Sequence, residues 1–170
     1  MQIDSLDLAL LTRLRDNPRA GALQLSRLTG VARATVQARL DRLERAGVIT
    51  GYGPDIDLAS AGYGVQAFVT LEIAQGALER VTADLRAIPG VLEAYAITGT
   101  GDLLCKVAAT SHSDLQATLL RIDSSPAVAR STSAIALSEV IARRELPLLA
   151  AGSPPDAPRA PAFRNAATGR

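Results

Sequence analysis

Apolar positions at helical spacing predict three short helices in the first fifty residues of the chain. The first helix follows Asp4, which can cap it, and ends at Asn17-Pro18, because a residue before proline avoids the α region. The second helix is predicted over residues 22–29, where Gly30 ends it, and the third over residues 32–46, before Gly47. Three short helices with a tight turn before the last are typical of a helix-turn-helix.

Each predicted helix has an apolar stripe that we expect to be buried. The stripe residues are Leu6, Leu10, Leu11 and Leu14, then Leu23, Leu25 and Leu28, then Val36, Leu40 and Leu43. A step of about 100° per residue divides the other positions of the third helix between an exposed face and two flanks. Ala34 and Ala38 lie opposite the core, and Arg39 lies beside the stripe. The flanks carry Arg33, Gln37, Thr35 and Arg42.

The second half of the chain follows a different pattern. Residues 65–73 alternate between apolar and polar positions, as a half-buried strand does, and residues 77–87 show helical spacing. A repeat with a period of 37 residues aligns the Pro-x-Val motifs at 89–91 and 126–128, each after a helix. With a further strand over 103–109, the order becomes β-α-β-β-α-β, the ferredoxin-like arrangement with both helices on one face of the sheet.

These patterns predict an α+β protein with a winged-type helix-turn-helix followed by a βαββαβ domain. The segment 47–58 has a β-branched start and a Gly, Pro and Asp middle, which favours a short strand and then a hinge. The predicted divisions are a helix-turn-helix over 1–50, a strand and hinge over 51–64, the βαββαβ domain over 65–146, and a tail rich in proline and alanine over 147–170. We expect the tail to be disordered.

Composition narrows the class of protein. Of 170 residues, 48% are hydrophobic and 21% charged, and no apolar run approaches the roughly 18 residues of a membrane span. The beginning of the chain does not resemble a secretion signal. Cys105 is the single cysteine, so the chain has no intramolecular disulfide and no thiolate cluster for zinc. We therefore expect a cytoplasmic protein without a metal or a cofactor.

Charge is informative locally, because the net charge of the whole chain is only +1. From residue 27 to residue 45 the chain carries five arginines but only two acids, Asp41 and Glu44. A solvated helix surface is one interpretation of this run. Its place in a helix-turn-helix favours another, in which the third helix enters the major groove of DNA.

The third helix carries side chains suited to that task. Arg33 can donate hydrogen bonds to guanine and Gln37 to adenine, while Ala34 and Ala38 are small enough to let the backbone approach base edges. The remaining predicted DNA contacts are Thr35 on the flank and three arginines suited to phosphates, Arg27, Arg39 and Arg42.

Two features of the second domain point to partners. The loop Thr98-Gly99-Thr100-Gly101-Asp102 offers backbone N–H groups and a carboxylate that can hold an ammonium, although a plain hairpin turn explains the same residues. Residues 102–108 are largely apolar on both faces of their strand. Because helices cover only one face of such a sheet, we expect a second copy of the chain to cover the other.

Residues 3–141 resemble the Lrp/AsnC, or feast/famine, family of regulators. In the first domain the matching residues are Ile3-Asp4-x-x-Asp7, Leu10-Leu11-x-x-Leu14, Arg19, Leu25, Gly30-Val31, Thr35-Val36-x-x-Arg39-Leu40-x-x-Leu43-Glu44-x-x-Gly47-Val48-Ile49 and Gly51-Tyr52. In the second they are Pro89-Gly90-Val91, Thr98-Gly99-x-x-Asp102-x-Leu104-x-Lys106-Val107 and Pro126-x-Val128.

The resemblance implies a transcription regulator that binds double-stranded DNA at pseudo-palindromic operators and responds to an amino acid or a related small molecule. It also implies a homodimer, with assembly into tetramers or octamers in some members. The effector is expected near the loop from Gly99 to Asp102 and the last strand around Ser131 and Ser133. We hypothesise that Asp102 meets the effector's ammonium while N–H groups of the glycine loop take its carboxylate.

This chain departs from the family pattern at three positions. Ala32 replaces the serine that usually caps the recognition helix, which leaves Thr29 or the backbone to compensate. Gly101 and Leu103 replace tyrosines of the pattern Gly-x-Tyr-Asp-Tyr, so a pocket that depends on those rings is altered.

Other functions were weighed against this interpretation. Siroheme decarboxylases resemble the same family, but His112 is the single histidine here, and no nucleophile triad, carboxylate pair or phosphate loop accompanies it. We therefore do not expect an enzyme. The remaining alternatives are a DNA-binding or architectural protein that needs no ligand, and a helix-turn-helix used for protein contacts.

Overall fold

The computed structural model describes residues 2–152 and 154–157, which form two compact units. The first unit consists of residues up to 54 together with those from 142 onward, and the second consists of residues 55–141. The elements of the first unit are α1 (Ser5–Asp16), α2 (Ala22–Thr29), α3 (Arg33–Arg45) and α6 (Leu146–Ala151). Those of the second are β1 (Val65–Ile73), α4 (Leu78–Arg86), β2 (Val91–Ala96), β3 (Leu103–Ala109), α5 (His112–Asp123) and β4 (Val128–Ala136).

Local capping signals set the ends of the first three helices. At the start of α1, the Asp7 N–H donates to Asp4 and the Asp4 N–H donates to Asp7, which is a complete capping box. Gly30 ends α2 in the left-handed region, with a φ of 72°. The predicted helices of the first unit are therefore confirmed to within a residue or two.

The core of the first unit is small and follows α3. Val36 and Leu43 are fully buried, as is Leu25 of α2. The prediction that Leu23 and Leu28 are buried is wrong, because they are 50% and 41% exposed. Leu23 lies roughly 160° around a short helix from Leu25, so a single contact face cannot include both.

The strand predicted after α3 does not form. The N–H groups of Val48 and Ile49 donate to the carbonyl of Leu43 at 2.9 and 3.2 Å, and the Gly47 N–H donates to Glu44. This is a Schellman motif, which Gly47 permits with a φ of 68°. Because these groups cap α3, they cannot join a sheet, and residues 46–64 contain no strand.

The second unit has the predicted βαββαβ order. Its four strands are antiparallel in the spatial order β2-β3-β1-β4. One face of the sheet packs against α4 and α5 through fully buried residues such as Val69, Cys105, Val81 and Ile122. We call the other face, which no helix of the second unit covers, the open face. Cys105 is a core residue, and its burial raises the pKa of its thiol.

The prediction of disorder from residue 147 is wrong for the part of the tail that the structure describes. Pro147 occupies the first turn of α6, where its missing N–H costs no hydrogen bond. An ion pair of 3.3 Å joins Arg15 to Glu145 just before this helix. The compact units are divided elsewhere than the predicted domains, since the first unit runs to 54 and includes residues from 142 onward, and the predicted divisions at 50 and 146 stay a prediction. Residues 158–170 lie outside the described residues.

Candidate functional site

The first half of α3 exposes a continuous polar and small-residue surface. We call Arg33, Ala34, Gln37 and Ala38 the reading surface, since all four are exposed while Val36 between them is buried. The side chain of Arg33 forms no hydrogen bond or ion pair with any described residue. The Gln37 amide donates to Asp41 at 2.8 Å, one turn further along the helix. Thr35 is half-buried at the edge of this surface.

The second half of α3 uses its arginines differently. Arg39 Nη1 donates to Asp4, with a short contact, and to Asp7 at 3.1 Å. Arg42 Nη2 donates to the other oxygen of Asp7 through another short contact. We call these four residues the acid–arginine cluster. It joins the start of α1 to the middle of α3.

Burial makes the acid–arginine cluster a structural feature. The Asp7 side chain is fully buried and that of Arg39 is only 15% exposed. The guanidinium of Arg39, predicted to contact phosphates, thus faces inward and is paired with two carboxylates, while its contact with DNA stays a prediction. Arg42 is 40% exposed, but one of its nitrogens is held by Asp7 and its Nε is buried without a hydrogen bond partner. Arg42 is thus also part of the packing between α1 and α3.

The electrostatics of the cluster favour the charged forms. Burial alone would raise the pKa of Asp4, but hydrogen bonds from the Asp7 N–H and from Arg39 outweigh it and hold this pKa below its ordinary value. The hydrogen bond to Asp4 in turn raises the pKa of Arg39. The i, i+3 pair of acids is visible in the sequence, but its partners lie more than thirty positions away and were not predicted.

The turn before α3 leaves the start of that helix uncapped by a side chain. Ala32 is the N-cap and offers no oxygen, and Thr29 donates instead to Leu25 at 2.7 Å. The expected compensation by Thr29 is therefore wrong. Ser26 closes the turn by donating to the carbonyl of Val31 at 2.5 Å. Arg27, exposed in the last turn of α2, has no partner among the described residues.

In the second unit, the loop before β3 is attached to β1 by Asp102. Its carboxylate accepts a hydrogen bond of 2.8 Å from the Ile73 N–H, and its own N–H donates to Leu71 at 2.8 Å. Gly99 takes the left-handed region with a φ of 117°. Gly101 is buried, and a Cβ there would overlap the Thr70 methyl group. The Asp102 carboxylate therefore has a structural partner already.

A pocket of about 260 Å³ opens beside this loop. We call it the polar pocket, and its lining residues are Thr70, Glu72, Thr100, Arg130 and Thr132. Thr70 pairs with Thr132 and Glu72 with Arg130 in the register of β1 and β4. All four lie on the open face, because their neighbours Val69 and Leu71 occupy the opposite, buried face.

The polar pocket includes only part of the predicted effector set. Thr100 lines it, whereas Thr98, Gly99, Gly101 and Asp102 do not. Ser131 and Ser133 pair with Leu71 and Val69 and thus belong to the other face of β4. The predicted Ser131 and Ser133 thus lie one residue away from the pocket-lining Arg130 and Thr132, and one residue along a strand exchanges the two faces. Alternation along β1 was the signal that could have identified Thr70 and Glu72.

The charged pair in this pocket has no internal partner. Glu72 and Arg130 are cross-strand neighbours, but the side chain of neither forms a hydrogen bond or ion pair in the part of the chain that the structure describes. A carboxylate and a guanidinium are thus both available in one small concave site. An α-amino acid, which carries an ammonium and a carboxylate, has the matching charges.

A larger pocket of about 320 Å³ lies between α4 and α5. The acid within it, Asp84, already accepts a hydrogen bond of 2.6 Å from Ser125. The pocket wall also includes Arg80 and Arg121, beside Val81, Leu85 and Ile122 of the core. This pocket therefore also holds both signs of charge, but its carboxylate is already hydrogen-bonded to Ser125.

The structure adds little to the alternative of an enzyme. His112 is the first residue of α5 and is exposed. Over residues 2–152 and 154–157, no three His, Cys, Asp or Glu side chains are placed to hold a metal ion. None of the described helices has both the length and the apolar character needed to cross a membrane.

Both halves of the chain match known families. Residues 3–50 match a family model for winged helix-turn-helix DNA-binding domains, and residues 66–146 match one for the Lrp/AsnC ligand binding domain. The HTH-type transcriptional regulator Rv2324 of Mycobacterium tuberculosis is 33% identical over 147 residues, which cover 84% of this chain and 97% of that one.

Solved structures agree with these matches. The structure of AsnC from E. coli has a TM-score of 0.80 at 29% identity, covering 86% of this chain and all of that one. The transcriptional regulator NMB0573 of Neisseria meningitidis, solved as a complex with L-Met, has a TM-score of 0.76 at 28% identity. That comparison covers 82% of this chain and 93% of the other.

Proposed function

Because the chain belongs to the Lrp/AsnC family of helix-turn-helix transcription regulators, we propose that it reads an operator through the first half of α3. The observation that carries this proposal is the contrast within one helix. Arg33 is exposed and unpaired, while Arg39 and Arg42 fix the helix to α1. The helix is thus held from behind and presents its reading surface outward.

The reading surface divides into base and backbone contacts. Arg33 donates to guanine in the major groove, and Gln37 contacts adenine with its amide oriented by Asp41. Ala34 and Ala38 leave room for the helix to approach the base edges. Arg27 contacts a phosphate, as do the N–H groups at the start of α3, which no side chain caps.

The proposed assembly is a dimer formed through the open face of the sheet. Phe68 is 43% exposed there, and Leu104 lies next to it on β3. Glu93 and Lys106 pair across β2 and β3 on the same face, so it carries both signs of charge. Such a surface can pair with a copy of itself around a two-fold axis, which suits a pseudo-palindromic operator. Sedimentation showing only monomers at micromolar concentration would contradict it.

The proposed effector is a small α-amino acid bound in the polar pocket. Arg130 takes its carboxylate, Glu72 takes its ammonium, and Thr70, Thr100 and Thr132 offer hydroxyls to its side chain. This assignment replaces Asp102, whose carboxylate holds the Ile73 N–H. A volume of about 260 Å³ and a polar wall favour a short, hydrophilic side chain.

DNA binding is tested with fluorescently labelled DNA taken from upstream of the gene that encodes this protein. We expect Arg33→Ala to weaken binding by about 1–3 kcal/mol, because a bidentate contact to guanine is lost. Arg86→Ala, an exposed arginine on α4, is the matched control and should change nothing. An Arg33→Ala protein that binds like the parent chain would refute this reading surface.

Effector binding is tested by thermal shift against the twenty amino acids. A ligand at 100 times its dissociation constant stabilises the protein by about 2.7 kcal/mol. Glu72→Gln and Arg130→Gln should abolish the shift, whereas Glu79→Gln on α4 should retain it. If none of the amino acids raises the melting temperature, or if the shift persists in both pocket variants, the pocket assignment is wrong.

A further inference from the structure

The second unit has a further charged pocket on the face of the sheet that its helices cover. This is the pocket of about 320 Å³ between α4 and α5, and we call it the helix pocket. The polar pocket lies on the open face, so the two pockets occupy opposite faces of the same sheet. Three buried core residues contribute to the wall of the helix pocket, namely Val81, Leu85 and Ile122. The helix pocket therefore offers apolar side chains that a hydrocarbon group can contact.

A side-chain hydrogen bond joins the two sides of the helix pocket. The Ser125 hydroxyl, just after the end of α5, donates to the Asp84 carboxylate of α4 at 2.6 Å. Ser125 is buried and Asp84 is half-buried, so water competes little for this contact. The contact fixes the spacing between α4 and the end of α5, and it occupies the carboxylate of Asp84.

Two arginines line the helix pocket, one from each helix. Arg80 lies one turn before Asp84 on α4. Arg121 lies in the last turn of α5, shortly before Ser125. Residues one turn apart share a face of a helix, so the two arginines start from the faces that the hydrogen bond brings together. The side chains of Arg80 and Arg121 form no hydrogen bond or ion pair with any residue that the structure describes, Asp84 included.

We propose that the helix pocket is a second ligand site, which binds a small carboxylic acid with an apolar body. Arg80 and Arg121 donate to the carboxylate of this ligand, because hydrogen bonds between guanidinium and carboxylate groups are charge-assisted. The hydrocarbon part of the ligand contacts the apolar wall, and a pocket of about 320 Å³ lies in the size range of small-molecule sites. The proposal requires neither DNA binding by α3 nor an effector in the polar pocket.

The charges of the wall favour a simple carboxylic acid over an amino acid. The two arginines and Asp84 give the wall a net charge of +1, which a single carboxylate neutralises. The ammonium of an amino acid would lie near two guanidiniums, and the one carboxylate in the wall is already held by Ser125. The helix pocket and the polar pocket therefore differ in the class of ligand that they bind.

The test is isothermal titration calorimetry of the full chain with isocaproate, which is L-leucine without its amino group. We expect saturable binding to the parent chain. Isocaproamide has the same skeleton without the charge, and acetate has the charge without most of the skeleton. Each should bind at least about tenfold more weakly than isocaproate, because one loses the charge-assisted hydrogen bonds and the other loses apolar contact.

Variants of the arginines locate the site. Arg80→Gln and Arg121→Gln should each weaken isocaproate binding by about tenfold or more, because each removes a hydrogen bond from a charged group. Arg86→Gln is the matched control, since Arg86 is an exposed arginine of α4 that does not line the helix pocket. All three arginines are exposed, so the melting temperature without ligand should stay that of the parent chain.

L-leucine separates the helix pocket from the polar pocket. The double variant Glu72→Gln/Arg130→Gln removes the charges of the polar pocket and leaves the helix pocket unchanged. This variant should bind isocaproate as the parent chain does, and an equal concentration of L-leucine should not displace it.

Several outcomes would overturn the proposal. One is the absence of isocaproate binding to the parent chain at about 10 mM ligand, well above the dissociation constants usual for such sites. Others are equal binding of isocaproate and isocaproamide, or binding like that of the parent chain in both Arg80→Gln and Arg121→Gln. Loss of isocaproate binding in Glu72→Gln/Arg130→Gln alone would assign this ligand to the polar pocket and would also overturn it.

Discussion

In the first unit, Asp4 and Asp7 lie against Arg39 and Arg42, and every one of these side chains is hydrogen-bonded to a partner of opposite charge. In the second unit, Glu72 and Arg130 are neighbours across two strands, yet no ion pair joins them. The first arrangement is largely buried and the second lines a pocket.

The difference separates charges that hold the fold together from charges that no side chain of the described residues neutralises. A buried charge without a partner is costly, so the carboxylates of α1 and the arginines of α3 depend on each other. Glu72 and Arg130 are exposed and have no such dependence. The same distinction holds within α3, where Arg33 is unpaired and Arg39 is not.

The largest expected loss of stability comes from removing a member of the acid–arginine cluster. Asp7→Ala leaves two arginines near the core without their shared partner, which should destabilise the protein by about 3–5 kcal/mol. Chemical denaturation measures this loss, with Asp16→Ala at the exposed end of α1 as the control. An Asp7→Ala protein within 1 kcal/mol of the parent would show that the cluster does not stabilise the unit.

The pairing also predicts how stability depends on pH. The pKa of Asp4 is lowered in the folded chain, so its contribution is present above the unfolded value of about 3.9 and is lost as the pH falls through the folded value. Asp4→Asn keeps an acceptor for the helix cap but cannot be charged. The parent should exceed this variant by about 1.5 kcal/mol at pH 7, and the difference should shrink as the pH falls through the lowered pKa of Asp4.

Convergence is the decisive feature of that titration. The stability of the parent and of Asp4→Asn is measured by urea unfolding at several pH values, with Asp156→Asn as a control on an exposed acid. A constant difference between parent and Asp4→Asn across the whole range would mean that the cluster does not depend on ionised Asp4.

Local signals made most of the fold predictable from the sequence, and long-range contacts account for most of the errors. Asp4, Gly30 and Gly47 act within a few residues, and the helix ends that they predicted were confirmed. The pairing of Arg39 with Asp4 spans thirty-five positions, and nothing near Arg39 indicates it. An arginine count on a helix therefore cannot show which guanidinium is available to DNA.

The candidate pocket shows a different limit. The alternation along β1 predicts which of its residues are buried. Which residues of β4 lie on the open face depends on the register of β4 against β1, and no short-range pattern in the sequence gives that register. The prediction named Ser131 and Ser133, whereas Arg130 and Thr132 line the polar pocket, one residue away along β4. The strand predicted after Gly47 failed for a related reason, because β-branched residues there cap α3 instead.

A smaller loss of stability is expected from a substitution next to the polar pocket, where the charges of Glu72 and Arg130 are not paired. Gly101→Ala places a Cβ against the Thr70 methyl group, and Thr70 must shift to make room. We expect a loss of about 1 kcal/mol in stability. Thr70→Ser removes that methyl group, so the double variant should recover most of the loss. A double-mutant cycle measures the coupling, and simple additivity would indicate that the two residues do not meet.

The smallest expected effect is the sharpest test of the comparison. Glu72→Gln and Arg130→Gln each remove a charge of a cross-strand pair, and without an ion pair each should change the free energy of unfolding by less than about 0.5 kcal/mol. Denaturation without ligand measures this, beside the large loss expected for Asp7→Ala. A loss of more than 1 kcal/mol would mean that Glu72 and Arg130 are paired in solution. They would then resemble the acid–arginine cluster, and an amino acid entering the pocket would have to break that pair before it could bind.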